Sequence, residues 1–129
     1  MTTGNTVTNS AGQLSAITAT VAYTDTSAVT IGTVPANAQI INVHIDVTTA
    51  FDAGTTNTMT VGKSGSAAAY VASTSVGSAG RASVATTGVY SAWADVGAAE
   101  VPVTATFSQT GTAATAGAAR VTVVYKAFA

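Results

Sequence analysis

Gly62, Lys63 and Ser64 form the segment of this sequence that comes nearest to a motif with its own chemistry. They match the end of the phosphate-binding loop G-x-x-x-x-G-K-[ST], in which backbone N–H groups and the lysine surround a phosphate. The full pattern needs another glycine at position 57, where the sequence has Asn57. Thr58 to Val61 have strand character, and no helix pattern clearly follows. We therefore interpret Lys63 as a turn residue rather than as part of a nucleotide site.

His44 and Asp46 are the residues whose types and spacing could hold a metal ion. They alternate along a predicted strand, so the imidazole and the carboxylate share one face of it. A closed zinc site needs about four ligands, and the sequence has no second histidine and no cysteine. We expect His44 and Asp46 to be surface or contact residues.

Acid–base catalysis would need a pair drawn from the five carboxylates, which are Asp25, Asp46, Asp52, Asp95 and Glu100. Asp52 is explained more simply as a turn former, and Asp95 and Glu100 as solvating residues after Trp93. Nucleophilic catalysis lacks a G-x-S-x-G elbow, and His44 is the only imidazole base. We predict that the protein is not an enzyme and has no catalytic, cofactor-binding or metal-binding residues.

Tyr90 and Trp93 could form a stacking platform for sugars, as exposed aromatic residues do in carbohydrate-binding sandwiches. The chain has only one Trp, four Tyr and three Phe with which to fill a core. Because aromatic side chains bury large areas, we favour their burial over a sugar site.

Composition narrows the class of partner. Charged residues make up 7% of the 129 residues, against roughly a quarter in average soluble domains, and the net charge is −1. The four cationic residues, Lys63, Arg81, Arg120 and Lys126, are scattered singly, which argues against nucleic acid as a partner. The absence of cysteine excludes disulfides, so stability must come from packing or assembly.

The beginning of the sequence differs from the rest. Residues 1–13 are polar and show little periodicity, which predicts a flexible arm, and residues 14–129 are predicted to form a single domain. The segment MTTGNTVTNSAGQL has neither a basic n-region nor an apolar h-region, and no uncharged, predominantly apolar run of 18 residues follows. We expect a protein made in the cytoplasm without a secretion signal or a membrane partner.

Alternation of apolar and polar residues predicts most of the strands. The expected apolar stripes are Ile17, Ala19, Val21 and Tyr23; Val29, Ile31 and Thr33; Ile41, Val43, Ile45 and Val47; Met59 and Val61; Val101, Val103, Ala105 and Phe107; and Val121, Val123, Tyr125 and Ala127. Ala68 to Ser73 and Ser83 to Thr87 are weaker strand candidates, and Val89 to Glu100 fits a helical turn or an irregular loop. Pro35 predicts a break before the longest stripe, and Phe51 to Asn57 a turn.

Six to eight short strands without crossover helices predict an all-β protein, an antiparallel β-sandwich or jelly roll. Charge-poor strands have an exposed-edge problem, because unpaired ladders without Lys or Glu invite pairing with another chain. This favours assembly as the function. Pro102, near the start of the strand from Val101 to Phe107, indicates either an edge strand or simply the beginning of a strand. If it is an edge strand, we expect it to add to the sheet of another chain.

Three segments carry a resemblance: IGTVPANAQIINVHIDVTTAFDAGTTNTMTVGKSG, AAYVAS and AGAARVTVVYKAF. A proline introduces the long strand, a phenylalanine opens the loop, TVG ends the next strand, and a glycine precedes a final strand ending in tyrosine. These residues are Pro35, Phe51, Thr60 to Gly62, Gly117 and Tyr125. In this pattern most of the chain resembles small structural proteins of tailed bacteriophages, in particular jelly-roll head decoration or cement proteins. Such sequences often have aspartates after TVG, whereas this one has Ser64 to Ala69.

The resemblance implies a protein that sits on the outer surface of a phage capsid and cements neighbouring major capsid subunits. The implied partners are the major capsid protein and further copies of the chain, as a dimer or trimer, with residues 1–13 as the segment that reaches a neighbour. A different class of function, a phage tail or fibre module that recognises host glycan through its loops, stays open from the sequence.

Overall fold

The structure is a computed structural model and describes residues 14–82, 93 and 95–127. Strands dominate this part of the chain. They are β1 (Leu14–Ala22), β2 (Val29–Val34), β3 (Gln39–Thr49), β4 (Thr56–Lys63), β5 (Ser66–Ser75), β6 (Gly80–Arg81), β7 (Val101–Thr110) and β8 (Ala118–Lys126).

The strands form two four-stranded antiparallel sheets that pack face to face. Sheet A has the order β1-β8-β3-β6, and sheet B has the order β2-β7-β4-β5. The first strand pairs with the last, the second with the seventh, the third with the sixth and the fourth with the fifth. This is the connectivity of a long hairpin rolled into two sheets, the jelly roll. The predicted all-β sandwich is confirmed.

The core lies between the sheets and is built from the predicted alternation. In β1 and β8 the predicted face points inward, and Val21, Val121 and Val123 are fully buried. Sheet B faces them with Met59 and Val61 from β4, which are also fully buried. In β1, β7 and β8 the intervening residues face outward, so each of these strands contributes one apolar row to the core.

Ile41 was predicted to face inward and instead lies 41% exposed, whereas its neighbour Ile40 is buried. The pairing of β3 with β8 shifts between Ile40, opposite Tyr125, and Asn42, opposite Val124. Ile41 is the extra residue of a β-bulge, and such a residue breaks the alternation locally. The prediction for Ile41 was therefore wrong, whereas Val43, Ile45 and Val47 face inward as predicted.

The strand expected at an edge is also corrected. β7 lies inside sheet B, between β2 and β4, and pairs with both. Pro102 is tolerated because it stands at the beginning of β7, where it pairs with Thr33 of β2 but lies beyond the last pair with β4, Lys63 opposite Val103. Pro102 therefore marks a strand beginning, which was the other interpretation of this proline.

The remaining local predictions divide into three groups. Pro35 separates β2 from β3 as expected, and the candidate strand around Ala68 is longer than predicted, running from Ser66 to Ser75. No local pattern predicted β6, which follows the segment Gly77 to Ala79 and pairs with β3. The candidate strand at 83–87 and most of the 89–100 segment, like the arm at 1–13, lie outside the described residues.

Phe51 closes one end of the core. Its ring is buried and lies against the ring of Phe107, with 4.4 Å between the ring centroids. Its backbone N–H donates to the carbonyl of Val76. Gly117 has a φ of 148°, and a Cβ at that position would overlap the Phe51 ring. Glycine at 117 therefore makes room for the aromatic residue that joins the end of β3 to sheet B.

We predict that Gly117→Ala lowers the free energy of unfolding by about 3 kcal/mol, because it combines a strained φ with a clash in the core. Gly65→Ala is the matched control, since Gly65 also has a positive φ but has nothing within 4 Å of its added Cβ. The control is expected to lose only about 1 kcal/mol. Urea unfolding measures both, and equal losses would contradict the role of the Phe51 contact.

Candidate interaction surfaces

The described residues offer surfaces rather than a cavity. No pocket lies among residues 14–82, 93 and 95–127. Within the same residues, no group of three or more His, Cys, Asp or Glu side chains is placed to hold a metal ion, and no helix is long and apolar enough to cross a bilayer. The outward faces of the two sheets and their edges are candidate surfaces for binding.

The residues of the partial phosphate motif form a β-hairpin. Lys63 ends β4 opposite Ser66, and Gly65, with a φ of 81°, completes the turn with Ser64. Gly62 is buried, and a Cβ there would overlap the backbone of Ser66 and Ala67. This glycine serves the close approach of two strands, and Lys63, predicted to be a turn residue, is the last residue of β4, directly before the turn.

His44 and Asp46 lie on the outward face of sheet A, where Asp46 is engaged by an arginine. Arg81 donates from Nε to one carboxylate oxygen of Asp46 at 2.7 Å and from a terminal nitrogen to the other at 3.2 Å. These hydrogen bonds lower the pKa of Asp46 below its ordinary value; burial opposes the shift, and electrostatic interaction with neighbouring side chains, above all Arg81, reinforces it. Asp46 thus binds a guanidinium, and the pairing fixes β6 on β3.

Sheet A collects most of the cationic residues on its outward face. Arg120 lies opposite Asp46 across β8 and β3, and Arg81 lies opposite the same residue from β6. Lys126 falls on the same side of β8, since it alternates with the buried Val121 and Val123. Three of the four Lys and Arg residues therefore share a face with one carboxylate. The sequence showed them as scattered because β8, β3 and β6 are neighbours only in space.

Sheet B presents a face of hydroxyl groups. The outward residues of β7 and β4 pair as Thr106 with Thr60, Ser108 with Thr58 and Thr110 with Thr56, and Thr104 lies opposite the buried Gly62. The hydroxyls of Thr56 and Thr110 are 2.7 Å apart, in a hydrogen bond. No charged side chain interrupts these rows, and Lys63 stands only at the end of β4. We call this surface the hydroxyl face.

Asp52 holds the loop that leads into β8. One carboxylate oxygen accepts hydrogen bonds from the backbone N–H groups of Thr115, at 2.7 Å, and Ala116, at 3.0 Å, while the other accepts from the Thr115 hydroxyl at 2.9 Å. These hydrogen bonds lower the pKa of Asp52 below its ordinary value, and the bond from the backbone N–H of Thr115 contributes most. The residue predicted to form a turn in its own loop also orders a second, distant loop.

The other carboxylates lie on separate elements. Asp25 accepts from the backbone N–H of Ala22, and Asp95 accepts from that of Gly97. Glu100 is exposed just before β7. The four aspartates bond to local backbone, to a distant loop or to an arginine, in arrangements that organise the fold.

Trp93 is half-buried and packs against the core. Its indole Nε1–H donates to the carbonyl of Tyr70 at 2.8 Å, so its polar edge is occupied from within the domain. The Tyr70 side chain is buried, which raises the pKa of its hydroxyl, and among the described residues that hydroxyl has no hydrogen-bond partner. Tyr90, the other half of the expected aromatic platform, lies outside the described residues.

Comparison with known proteins adds one solved structure. No family model matches the sequence, and no curated protein is similar to it. The fold is shared with a chain of the cyanophage Pam1 capsid asymmetric unit, with a TM-score of 0.69 and 20% sequence identity. The likeness covers 97% of this chain and 92% of that chain. The two chains have the same fold over nearly their whole length.

We predict that Asp52 contributes to stability in a pH-dependent way. Its pKa is lower in the folded than in the unfolded chain, so its contribution is present above the ordinary aspartate pKa of about 3.9 and is lost as the pH falls through the folded value. Asp52→Asn is therefore expected to lower the urea midpoint at pH 7, and the gap to the unchanged protein should narrow towards about pH 2.

Glu100→Gln is the control, since it removes the same charge from an exposed residue for which no hydrogen bond or ion pair is found within the described part of the chain. Its midpoint should stay near that of the unchanged protein. A gap for Asp52→Asn that is the same at both ends of this pH range would contradict the role of the carboxylate.

Proposed function

We propose that this protein is a structural component of a phage virion, which binds the outside of the capsid and cements neighbouring major capsid subunits. The observation that carries the proposal is the fold shared over 97% of the chain with a chain of the cyanophage Pam1 capsid asymmetric unit. The jelly-roll connectivity and sheet B, whose one charged residue is Lys63 at the end of β4, support it, because they provide a surface suited to contact with protein.

The hydroxyl face is the surface that contacts the capsid. Cores of protein interfaces are depleted in charged residues, and the two central strands of this face carry a charge only at Lys63, the last residue of β4. Threonine is stiff at χ1, so ordering it against a partner loses little side-chain entropy. The outward face of sheet A is a poorer candidate, because burying Arg81, Arg120 and Asp46 would remove charges from water.

The size of the hydroxyl face fits an attachment that depends on many copies. Strands of up to ten residues at about 3.4 Å per residue and four strands about 4.8 Å apart give a face of roughly 600 Å². A standard stable interface buries about 800 Å² on each partner. One copy then binds with modest free energy, and the resistance of a shell to expansion comes from the number of copies bound.

The experiment that tests the function is attachment to shells. Purified protein is mixed with capsids stripped of it, and the particles are sedimented and reconstructed by cryo-electron microscopy. Density at a fixed stoichiometry between major capsid subunits supports the proposal. Density at the tail, or binding to host glycans without binding to shells, would contradict it and favour the fibre module.

We predict that Thr106→Lys on the hydroxyl face lowers shell occupancy by at least about tenfold, because it places an unpaired charge in a buried contact. Thr122→Lys is the matched control. Both threonines are half-buried and face outward from a central strand, Thr106 in sheet B and Thr122 in sheet A. Equal occupancy of the two variants on shells that the unchanged protein binds would contradict the assignment of the face.

A second prediction concerns the arm. Deleting residues 1–13 is expected to lower shell occupancy, because a polar segment that orders on a neighbour adds contacts that the domain alone lacks. Sedimentation of shells with the shortened chain measures this. Unchanged occupancy would show that the arm has no part in attachment.

A further inference from the structure

The four edge strands of the two sheets differ in how they are protected against pairing. Proteins blunt exposed edges with short strands, bulges, charged residues and proline. β6 is only two residues long. The register of β2 shifts between Thr30 and Gly32, and β5 has two register shifts along its pairing with β4. Three of the four edges in the described sheets are therefore short or irregular.

β1 has none of these protections. It pairs with β8 in one unbroken register, from Leu14 opposite Lys126 to Ala22 opposite Ala118. Its nine residues, LSAITATVA, include no charged residue, no proline and no glycine. A long, regular and uncharged edge is the kind that accepts another strand.

A hydrogen bond just beyond the end of β1 shows which backbone N–H and C=O groups of β1 point toward β8 and which point away from it. The N–H of Tyr23 donates to the carbonyl of Gly117, the residue before β8. In an antiparallel ladder the residues that bond to one neighbour alternate, so odd-numbered residues bond to β8 and even-numbered residues point to the free edge. Ala22 agrees with this, since Asp25 occupies both its N–H and its carbonyl.

The free edge therefore consists of the N–H and C=O groups of four residues, Leu14, Ala16, Thr18 and Thr20. Asp25 closes it at the Ala22 end. No strand pairs with this side of β1 within the part of the chain that the structure describes. The side chains of the four residues lie on the outward face and are exposed, Leu14 by 62%.

We propose that this edge pairs antiparallel with β1 of a second copy of the chain, joining two copies of sheet A into one eight-stranded sheet. With the twofold axis at Ile17, Leu14 lies opposite Thr20 and Ala16 opposite Thr18, so the outward-pointing groups meet in about eight hydrogen bonds. This association does not depend on the proposed attachment to a capsid.

Two observations favour a second copy as the partner. Self-pairing of an uncharged strand puts no like charges opposite one another, whatever the register. The contact also closes, because a twofold interface uses the same edge on both copies. The joined sheet ends on both sides in β6, the two-residue strand, and leaves no regular edge of sheet A, as far as the structure describes it, for a third chain.

The same contact would bury more of the Ile17 side chain. It is half-buried at the margin of the core, where it packs against Gly32 of β2. In the proposed register the two copies of Ile17 lie opposite each other on the inward face. The association then covers an apolar residue that a single copy leaves partly exposed.

The test uses the full chain and measures mass and amide protection together. Analytical ultracentrifugation over a range of concentrations gives the oligomeric state, and NMR amide exchange is followed at the same concentrations. We expect dimers to form as the concentration rises, with the amides of Ala16, Thr18 and Thr20 becoming protected only in the dimer. The amides of Ile17 and Ala19 should be protected throughout.

Thr18→Pro gives a second measurement. The N–H that it removes points away from β8, and proline is tolerated at such positions on edge strands. The variant should fold and should dimerise at least about tenfold more weakly, because the removed N–H is one of the donors to the second copy. Thr18→Ala is the matched control, because both changes remove the hydroxyl contact with Thr122 but alanine keeps the N–H; it should still dimerise.

Three results would overturn the proposal. The first is a protein that stays monomeric at millimolar concentration. The second is a dimer in which the even-numbered amides of β1 stay unprotected, which would mean that another surface is used. The third is protection of those amides at every concentration, which would mean that the edge is covered within one chain. The exchange measurement applies to the unchanged protein and does not depend on how Thr18→Pro folds.

Discussion

The contact between Phe51 and Gly117 is the constraint on which the rest of the structure depends. Phe51 lies just after the end of β3 in sheet A, and its ring packs against the ring of Phe107 in sheet B. One side chain therefore fixes the separation of the two sheets at this end. Its position requires that residue 117 have no Cβ. Asp52 follows directly and orders the loop before β8. A short segment after β3 thus determines how the last strand enters the central position of sheet A.

Local patterns were sufficient to predict the strands but not their neighbours. Alternation correctly predicted the inward faces of β1 and β8, since a period of two records which side is buried. It failed at Ile41 because two adjacent isoleucines satisfy either register, and a bulge is decided by the partner strand. The prediction of an edge at β7, which rested on Pro102, failed because this proline is compatible both with an edge strand and with the beginning of a central one.

The pairing of Asp46 with Arg81 illustrates what the sequence could not provide. The two residues are 35 positions apart and meet because the two-residue β6 lies beside β3. No local signal predicts so short a strand. The strand pattern and the resemblance to phage structural proteins both predicted the jelly roll, and the geometry explains Pro35, Phe51 and Gly117, which belong to the pattern of that resemblance. The hydroxyl face likewise has no local signal in the sequence, because β4 and β7 are neighbours only in the folded sheet.

The strand order also has a consequence for how the protein is made. β8 lies between β1 and β3, yet it is contributed by residues 118–126, after every other described strand. Sheet A cannot form until that segment leaves the ribosome, and β1 must wait for a partner that is far away along the chain. Such distant pairings slow folding and expose unpaired strands for longer. Until β8 is available, β1, which has no charged residue, lacks its partner strand, and an unpaired uncharged strand is open to pairing with another chain.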